Sequence, residues 1–236
     1  MLLLSVLVTA GLYSVPLGHT LGYPLVLMST LAHEMGHGMT AWLVGGEFRS
    51  FEMWSNGSGV AHTASSGRIA SALISAGGLV GPAIAALFCF VMGRSMKLAR
   101  VALFVLGAFL VLALVLVVRN MFGVGFVLGA AAVCLLVAVK GGARLSQGLL
   151  VFFGVQLALS VFSRGDYLFT PVAHTSAGDL PSDVAQMSEA LFLPYWIWGA
   201  ICGGFSVVVL LFGLYWLWRG EKTPPVATTP AGPPNF

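Results

Sequence analysis

"LMSTLAHEMGHGMTAWLVGG", Leu27 to Gly46, sets two histidines and a glutamate inside a segment that otherwise reads as a membrane-spanning helix. Ionisable groups are costly in hydrocarbon; those found at membrane depth face a bundle interior or a water-filled cavity, where they have partners. The stretch therefore raises the question of the fold together with that of the site.

Its surroundings answer the first. The chain of 236 residues is 58% hydrophobic and 8% charged, with a mean hydropathy of +0.95, which excludes an ordinary soluble globular domain. Apolar stretches run Leu2–Leu17, Leu21–Val44, Ile69–Met92, Ala99–Val118, Met121–Val139, Leu149–Phe162 and Tyr195–Trp218. At roughly 20 residues per crossing, the pattern predicts an all-α polytopic membrane protein with about six to seven transmembrane helices. One membrane-embedded domain then covers residues 1–220. The first stretch lacks a basic flank and a small-residue cleavage site, so it reads as an uncleaved helix. Cys89, Cys134 and Cys202 each sit alone in an apolar run and read as small buried hydrophobes.

The net charge of +3 carries no nucleic-acid signal, but its distribution orients the chain. Arg94, Lys97 and Arg100, Lys140 and Arg144, and Arg219 and Lys222 fall on one side of a seven-helix chain and make up seven of the eleven basic residues. The positive-inside rule makes that side cytoplasmic, in a multi-pass protein of the cell membrane. The connections at 45–67 and 164–194 then lie on the opposite face.

The first connection, "GGEFRSFEMWSNGSGVAHTASSG", Gly45 to Gly67, alternates apolar and polar residues about an Asn-Gly-Ser-Gly centre and reads as a β-hairpin. The second, "RGDYLFTPVAHTSAGDLPSDVAQMSEALFLPYW", Arg164 to Trp196, holds four of the eight acidic residues. Residues 221–236, with "KTPPVATTPAGPPNF", form a Pro-rich tail expected to be disordered.

Within the opening stretch, "HEMGH" places His33 and His37 four residues apart, on one face of a helix, where both imidazoles can bind a single Zn2+. Glu34 stands beside them to take a proton from water polarised by the metal and to return it to the leaving amine. Chance accounts for only about 0.002 such motifs in a chain of this composition. Catalytic zinc takes a third protein ligand and keeps one position open. The candidates are Asp183, Asp179, His174 and His62. Four spans separate the exit of the HEMGH helix from the 164–194 connection, so the two share a face whichever way the protein is inserted. Ser182 also reads as a helix N-cap with Asp183 at the first helical position. Asp183 is the first choice for the third ligand and Asp179 the second.

The chain resembles the site-2 protease family of intramembrane zinc metalloproteases, and within it the compact bacterial and plant-type branch. The likeness rests on His33–His37, the Gly45-Gly46 pair, the 48–63 hairpin segment, "SAGGLVGPAIAA" from Ser75 to Ala86, and "PSDVAQMSEALFLPYWIWG" from Pro181 to Gly199. The Leu-Asp-Gly motif that carries the third ligand in better-studied members does not occur here, which leaves Asp183 and Asp179 both open. The resemblance implies a membrane-dipping hairpin after the HExxH helix and hydrolysis of peptide bonds in or near transmembrane segments. The implied partners are a membrane-protein substrate, the lipid bilayer and an adaptor protein, with no nucleic acid.

Gly77 and Gly78 permit close backbone approach, and beside a metal site such a groove would admit an extended substrate. Phe51 and Met53 of the hairpin join them as expected substrate contacts, since an unpaired strand edge can hold an unwound segment. Asn120 and His62 are polar groups to test as oxyanion stabilisers. The rival reading is a non-proteolytic metal-binding membrane protein serving transport, regulation or transmembrane-helix binding. A transporter would carry ionisable groups in several spans, and a binding-only relative would have little use for Glu34.

Overall fold

The run that holds the HEMGH motif forms one 26-residue helix, and the rest of the chain is arranged around it. The computed structural model describes residues 1–14, 18–163, 165–176 and 178–221. The Pro-rich tail predicted to be disordered lies outside the described residues, apart from its first residue, which ends the last helix. In chain order the elements are α1 (Leu2–Ser14), α2 (Gly18–Leu43), β1 (Glu47–Met53), β2 (Gly59–Ala64), α3 (Arg68–Gly93), α4 (Met96–Leu116), α5 (Met121–Lys140) and α6 (Gly142–Ser163). A 3-10 turn (Gly165–Phe169), β3 (Val172–Thr175), β4 (Gly178–Pro181), α7 (Asp183–Leu191) and α8 (Tyr195–Glu221) follow.

The protein is a helical multi-pass membrane protein with a small β-hairpin region. Among the described residues five helices are long and apolar enough to cross a membrane: α3, α4, α5, α6 with its 3-10 extension, and α8. Their outer faces expose large apolar side chains such as Val101, Leu112, Leu136 and Phe205, as helices bathed in lipid do. Two of the seven apolar runs fall outside this set. The first makes a 13-residue helix about 20 Å long, short of a hydrocarbon core of about 30 Å. It is tied to the bundle by a buried hydrogen bond from Gln156 Nε2 to Thr9 Oγ1. The second makes α2, which has the length, but its run is interrupted by His33, Glu34 and His37.

α2 and α3 pack closely because glycines line their contact. A Cβ at Gly36 would stand 3.2 Å from the Cα of Gly81, and one at Gly81 would stand 2.7 Å from the Ala32 carbonyl oxygen. Small residues at membrane helix contacts allow this approach, and here it brings α3 against the face that carries both histidines.

The predicted hairpin is β1–β2, antiparallel, with Phe51 opposite Ala61 and Met53 opposite Gly59. Phe48 and Phe51 are three apart and would face opposite sides of a regular strand. A bulge between the Phe48 and Ser50 pairs inserts the extra residue that turns both inward. The hairpin folds back along α2, where Thr30 Oγ1 donates to the Gly57 carbonyl at 2.7 Å and Tyr23 Oη to the Ser55 carbonyl at 2.6 Å. Thr30 is about 20 Å along α2 from its C-terminal end, so the hairpin tip reaches the middle of the helix.

β1 has no open edge at its centre. Phe51 N–H donates to the Val117 carbonyl at 2.7 Å, and the Phe51 carbonyl accepts from Arg119 N–H at 3.0 Å. The side-chain amide of Asn120 then bonds both N–H and C=O of Met53, as a neighbouring strand would. The same Asn120 caps α5 by accepting from Gly123 N–H.

A second hairpin, β3–β4, runs from Val172 to Pro181 and was not expected from the sequence. Its tip meets the first: Ser176 Oγ and Ser58 Oγ are 3.3 Å apart. Both hairpins therefore descend on the same side of the bundle, as the four intervening helices require.

Candidate metal centre

α2 presents His33 and His37 one turn apart, and α7 delivers Asp183 to them. The α7 start follows from local chemistry. Ser182 is the N-cap, its hydroxyl accepting from Ala185 N–H, and Asp183 is the first helical residue, its negative charge at the positive end of the helix dipole. At the other end Arg68 donates to the Glu189 carbonyl at 3.0 Å and lies over the Phe192 ring. Phe192 ends the helix in the left-handed conformation with φ 65°.

The three side chains converge. His33 Nε2 lies 3.2 Å from His37 Nε2 and 3.2 Å from Asp183 Oδ2, and His37 Nε2 lies 3.3 Å from Asp183 Oδ1. Four ligands around zinc at 2.0–2.1 Å in a tetrahedron stand about 3.3–3.4 Å apart, so the spacing fits that ion. The tautomer fits as well. His37 Nδ1 lies 2.8 Å from the Ile74 carbonyl, which can only accept, so Nδ1 carries the proton and Nε2 offers a lone pair. Lone pairs from two imidazoles and a carboxylate aimed at one point need a cation or shared protons between them.

His33, His37 and Asp183 thus form a three-residue group able to hold a metal ion. Asp179 is elsewhere: its carboxylate is paired with His174 Nδ1 at 2.6 Å on the exposed second hairpin. His62 is exposed on β2, and Asn120 spends its amide on the first hairpin.

Glu34 is buried, and its Oε2 accepts from Ala61 N–H at 2.7 Å. Since Phe51 turns its backbone groups outward to Val117 and Arg119, its partner Ala61 turns outward too. The open edge of β2 therefore faces α2, with Glu34 against it. Gly59 is required there, because a Cβ would stand 2.8 Å from Thr30 Cγ2 and 3.0 Å from Glu34 Cγ.

Phe51 and Met53 are fully buried in the core, and Phe51 pairs with the start of the α4–α5 turn. Gly77 and Gly78 face α2: a Cβ at Gly77 would stand 2.7 Å from Thr40 Cβ, and one at Gly78 would overlap the His37 ring. These two glycines let α3 close on the histidine face.

A cavity of about 470 Å³ opens beside the cluster. His33 and Glu34 form part of its wall, with the tip of the first hairpin, β3 and the 3-10 turn around it. Ser29, Thr30, Ser160 and Ser206 add hydroxyls from three helices, so the wall can be wetted within an apolar bundle. One group on that wall had no signal in the sequence. Tyr167 lies with its hydroxyl 3.4 Å from Asp183 Oδ2 and its ring edge-on to His33, the centroids 5.9 Å apart.

Comparison with known proteins matches the chain to a family model. The model of the Peptidase M50B-like family, a site-2 protease family, covers residues 3–213, and the chain belongs to that family. No curated protein and no solved structure matches the chain.

Proposed function

From this membership we propose that the chain is an intramembrane zinc metalloendopeptidase that hydrolyses peptide bonds in or near transmembrane segments of other membrane proteins. The observation that carries the reading is the cluster of His33, His37 and Asp183, at donor separations of 3.2–3.3 Å, on the wall of a hydroxyl-bearing cavity that also holds Glu34.

His33 Nε2, His37 Nε2 and the Asp183 carboxylate would hold the ion. When bound, zinc would supply Lewis acidity and lower the pKa of water to about 7. Glu34 is the general base: its carboxylate takes the proton of the attacking water and passes it to the leaving amine. The hydrogen bond from Ala61 N–H fixes Glu34 Oε2, which leaves Oε1 for the proton. An unwound substrate segment admitted to the cavity would pass beside Glu34, with backbone amides that α-helical pairing no longer shields. Phe51 and Met53 anchor the hairpin whose tip walls the cavity, and Gly77 and Gly78 seat the helix that carries the histidines. With the basic turns after α3 and α5 and the end of α8 on the cytoplasmic side, the hairpins and the cavity open toward the non-cytoplasmic face of the cell membrane.

The test is to purify wild type, Glu34→Gln and Asp183→Ala in detergent and to measure bound zinc and cleavage of a panel of transmembrane peptides. The proposal expects one zinc in wild type and in Glu34→Gln, cleavage by wild type alone, and loss of zinc from Asp183→Ala. A folded wild type that binds no zinc would refute it.

A further inference from the structure

The mechanism above has a base and a metal site but leaves the carbonyl oxygen of the scissile bond, which gains negative charge as water adds, without a donor from the protein. Removing such a donor from hydrolases of other kinds costs about 10²–10³ in kcat. Of the two residues that the sequence offers for this task, Asn120 is committed to the backbone of Met53 and His62 is exposed on β2. Tyr167 is on the cavity wall, with its ring beside one metal-site histidine and its hydroxyl beside the metal-site carboxylate.

The position of Tyr167 is built. Its 3-10 turn lies against α8 where Gly199 permits it, since a Cβ at Gly199 would collide with the Leu168 carbonyl. The Ser182 N–H bonds to the Pro171 carbonyl at 3.0 Å and ties the end of the same segment to the start of α7. This bond joins the two ends of the second hairpin and so holds the Tyr167 segment beside Asp183. The Tyr167 hydroxyl donates to Asp183 Oδ2 at 3.4 Å, well beyond the 2.7–2.8 Å at which hydroxyl donors settle, a weak bond that a closer acceptor can displace. A phenol is protonated at neutral pH and can donate without losing its proton.

We propose that Tyr167 is a catalytic hydrogen-bond donor to the carbonyl oxygen of the scissile peptide. The assignment rests on the protease reading. The water oxygen bonds to the carbonyl carbon, its proton goes to Glu34, and the C=O π pair moves onto the carbonyl oxygen, to which Tyr167 donates while keeping its own proton. The C–N bond then breaks, and the amine nitrogen takes the proton from Glu34. The alternative role, support of Asp183 as a ligand, would make Tyr167 a residue of metal affinity and not of turnover.

The experiment compares zinc-loaded wild type with Tyr167→Phe, which keeps the ring against His33. Zinc stoichiometry, kcat and KM on a transmembrane peptide, and the affinity of a phosphinic peptide that imitates the tetrahedral carbon are measured on both. The proposal expects unchanged zinc, KM within about twofold, kcat lower by about 10²-fold or more, and phosphinate affinity weakened by a similar factor. Lost zinc that excess metal restores together with full turnover assigns Tyr167 to ligand support and overturns the proposal. Equal kcat or equal phosphinate affinity in the two proteins also overturns it. A zinc-loaded wild type that neither cleaves peptides nor binds phosphinate removes the protease reading, and this assignment with it. Failure of the Tyr167 assignment alone is recognised by an active wild type.

Discussion

Gly78→Ala adds one carbon where the structure has no room for it. The new Cβ would overlap Cε1 and Nε2 of His37 and stand 2.7 Å from its Cδ2. Carbon atoms in contact settle about 3.5–4.0 Å apart, so the imidazole has to withdraw by about 1 Å or α3 has to back away from α2. Ligand distances at a metal site tolerate only about 0.2 Å, so His37 ceases to be a ligand in either case. Zinc sites of four protein ligands are worth about 10–16 kcal/mol, or about 3 kcal/mol for each, and that loss weakens zinc binding by about 100-fold. The assay is competition for zinc with a fluorescent chelator in detergent, beside a thermal melt of each protein. Gly107→Ala is the control: its Cβ would stand 2.6 Å from Leu135 Cγ, a comparable clash between α4 and α5, with no metal-site side chain among its neighbours. It should lower the melting temperature and leave zinc affinity alone. A folded Gly78→Ala protein that binds zinc within threefold of wild type would refute the placement of His37.

Three other perturbations separate the parts of the site. Gly59→Ala pushes on Thr30 and Glu34, so kcat should fall about tenfold or more with zinc content unchanged, as kinetics beside metal analysis will read. Asn120→Ala removes two hydrogen bonds that hold Met53 and one that caps α5; at about 1 kcal/mol for each of the two at Met53, amide exchange in the first hairpin should accelerate by about 30-fold, which mass spectrometry can follow. Arg68→Ala frees the end of α7, and zinc affinity should drop by about three- to tenfold in the same chelator assay, less than for any variant that removes a ligand.

The parts of this protein legible in its sequence are those that depend on neighbours along the chain. His33, Glu34 and His37 share two turns of one helix, so their spacing alone sets their relative directions. Ser182 and Asp183 announce a helix start in the same way. The first hairpin was legible from its Asn-Gly-Ser-Gly centre, but not its bulge or its pairing with Val117–Arg119, because both depend on what the strand packs against. The role of Gly77 and Gly78 shows the limit well. A small-residue run says that something comes close, and only the fold says that it is α2 with Thr40 and His37.

The carboxylate beside the two histidines marks where the two kinds of information meet. Parity of the spans puts the 164–194 connection on the same face as the exit of the HEMGH helix, and a cap signal draws attention to Asp183, yet neither separates it from Asp179 four residues away. What separates them is the second hairpin, which pairs Asp179 with His174 at 2.6 Å and ends one residue before the cap. The hairpin takes up residues 172–181 and turns the chain so that α7 starts against α2. Its sequence, Val-Ala-His-Thr then Gly-Asp-Leu-Pro, is too short to show a strand period, so a loop was the natural expectation. Its position explains why a membrane chain would keep an exposed polar strand pair beside its metal-site residues. The same ten residues place the metal-site carboxylate at one end, wall the cavity with β3, and touch the tip of the first hairpin at Ser176. An element that does all three ties the cavity wall, the tip of the first hairpin and the metal-site carboxylate to one short segment of the chain.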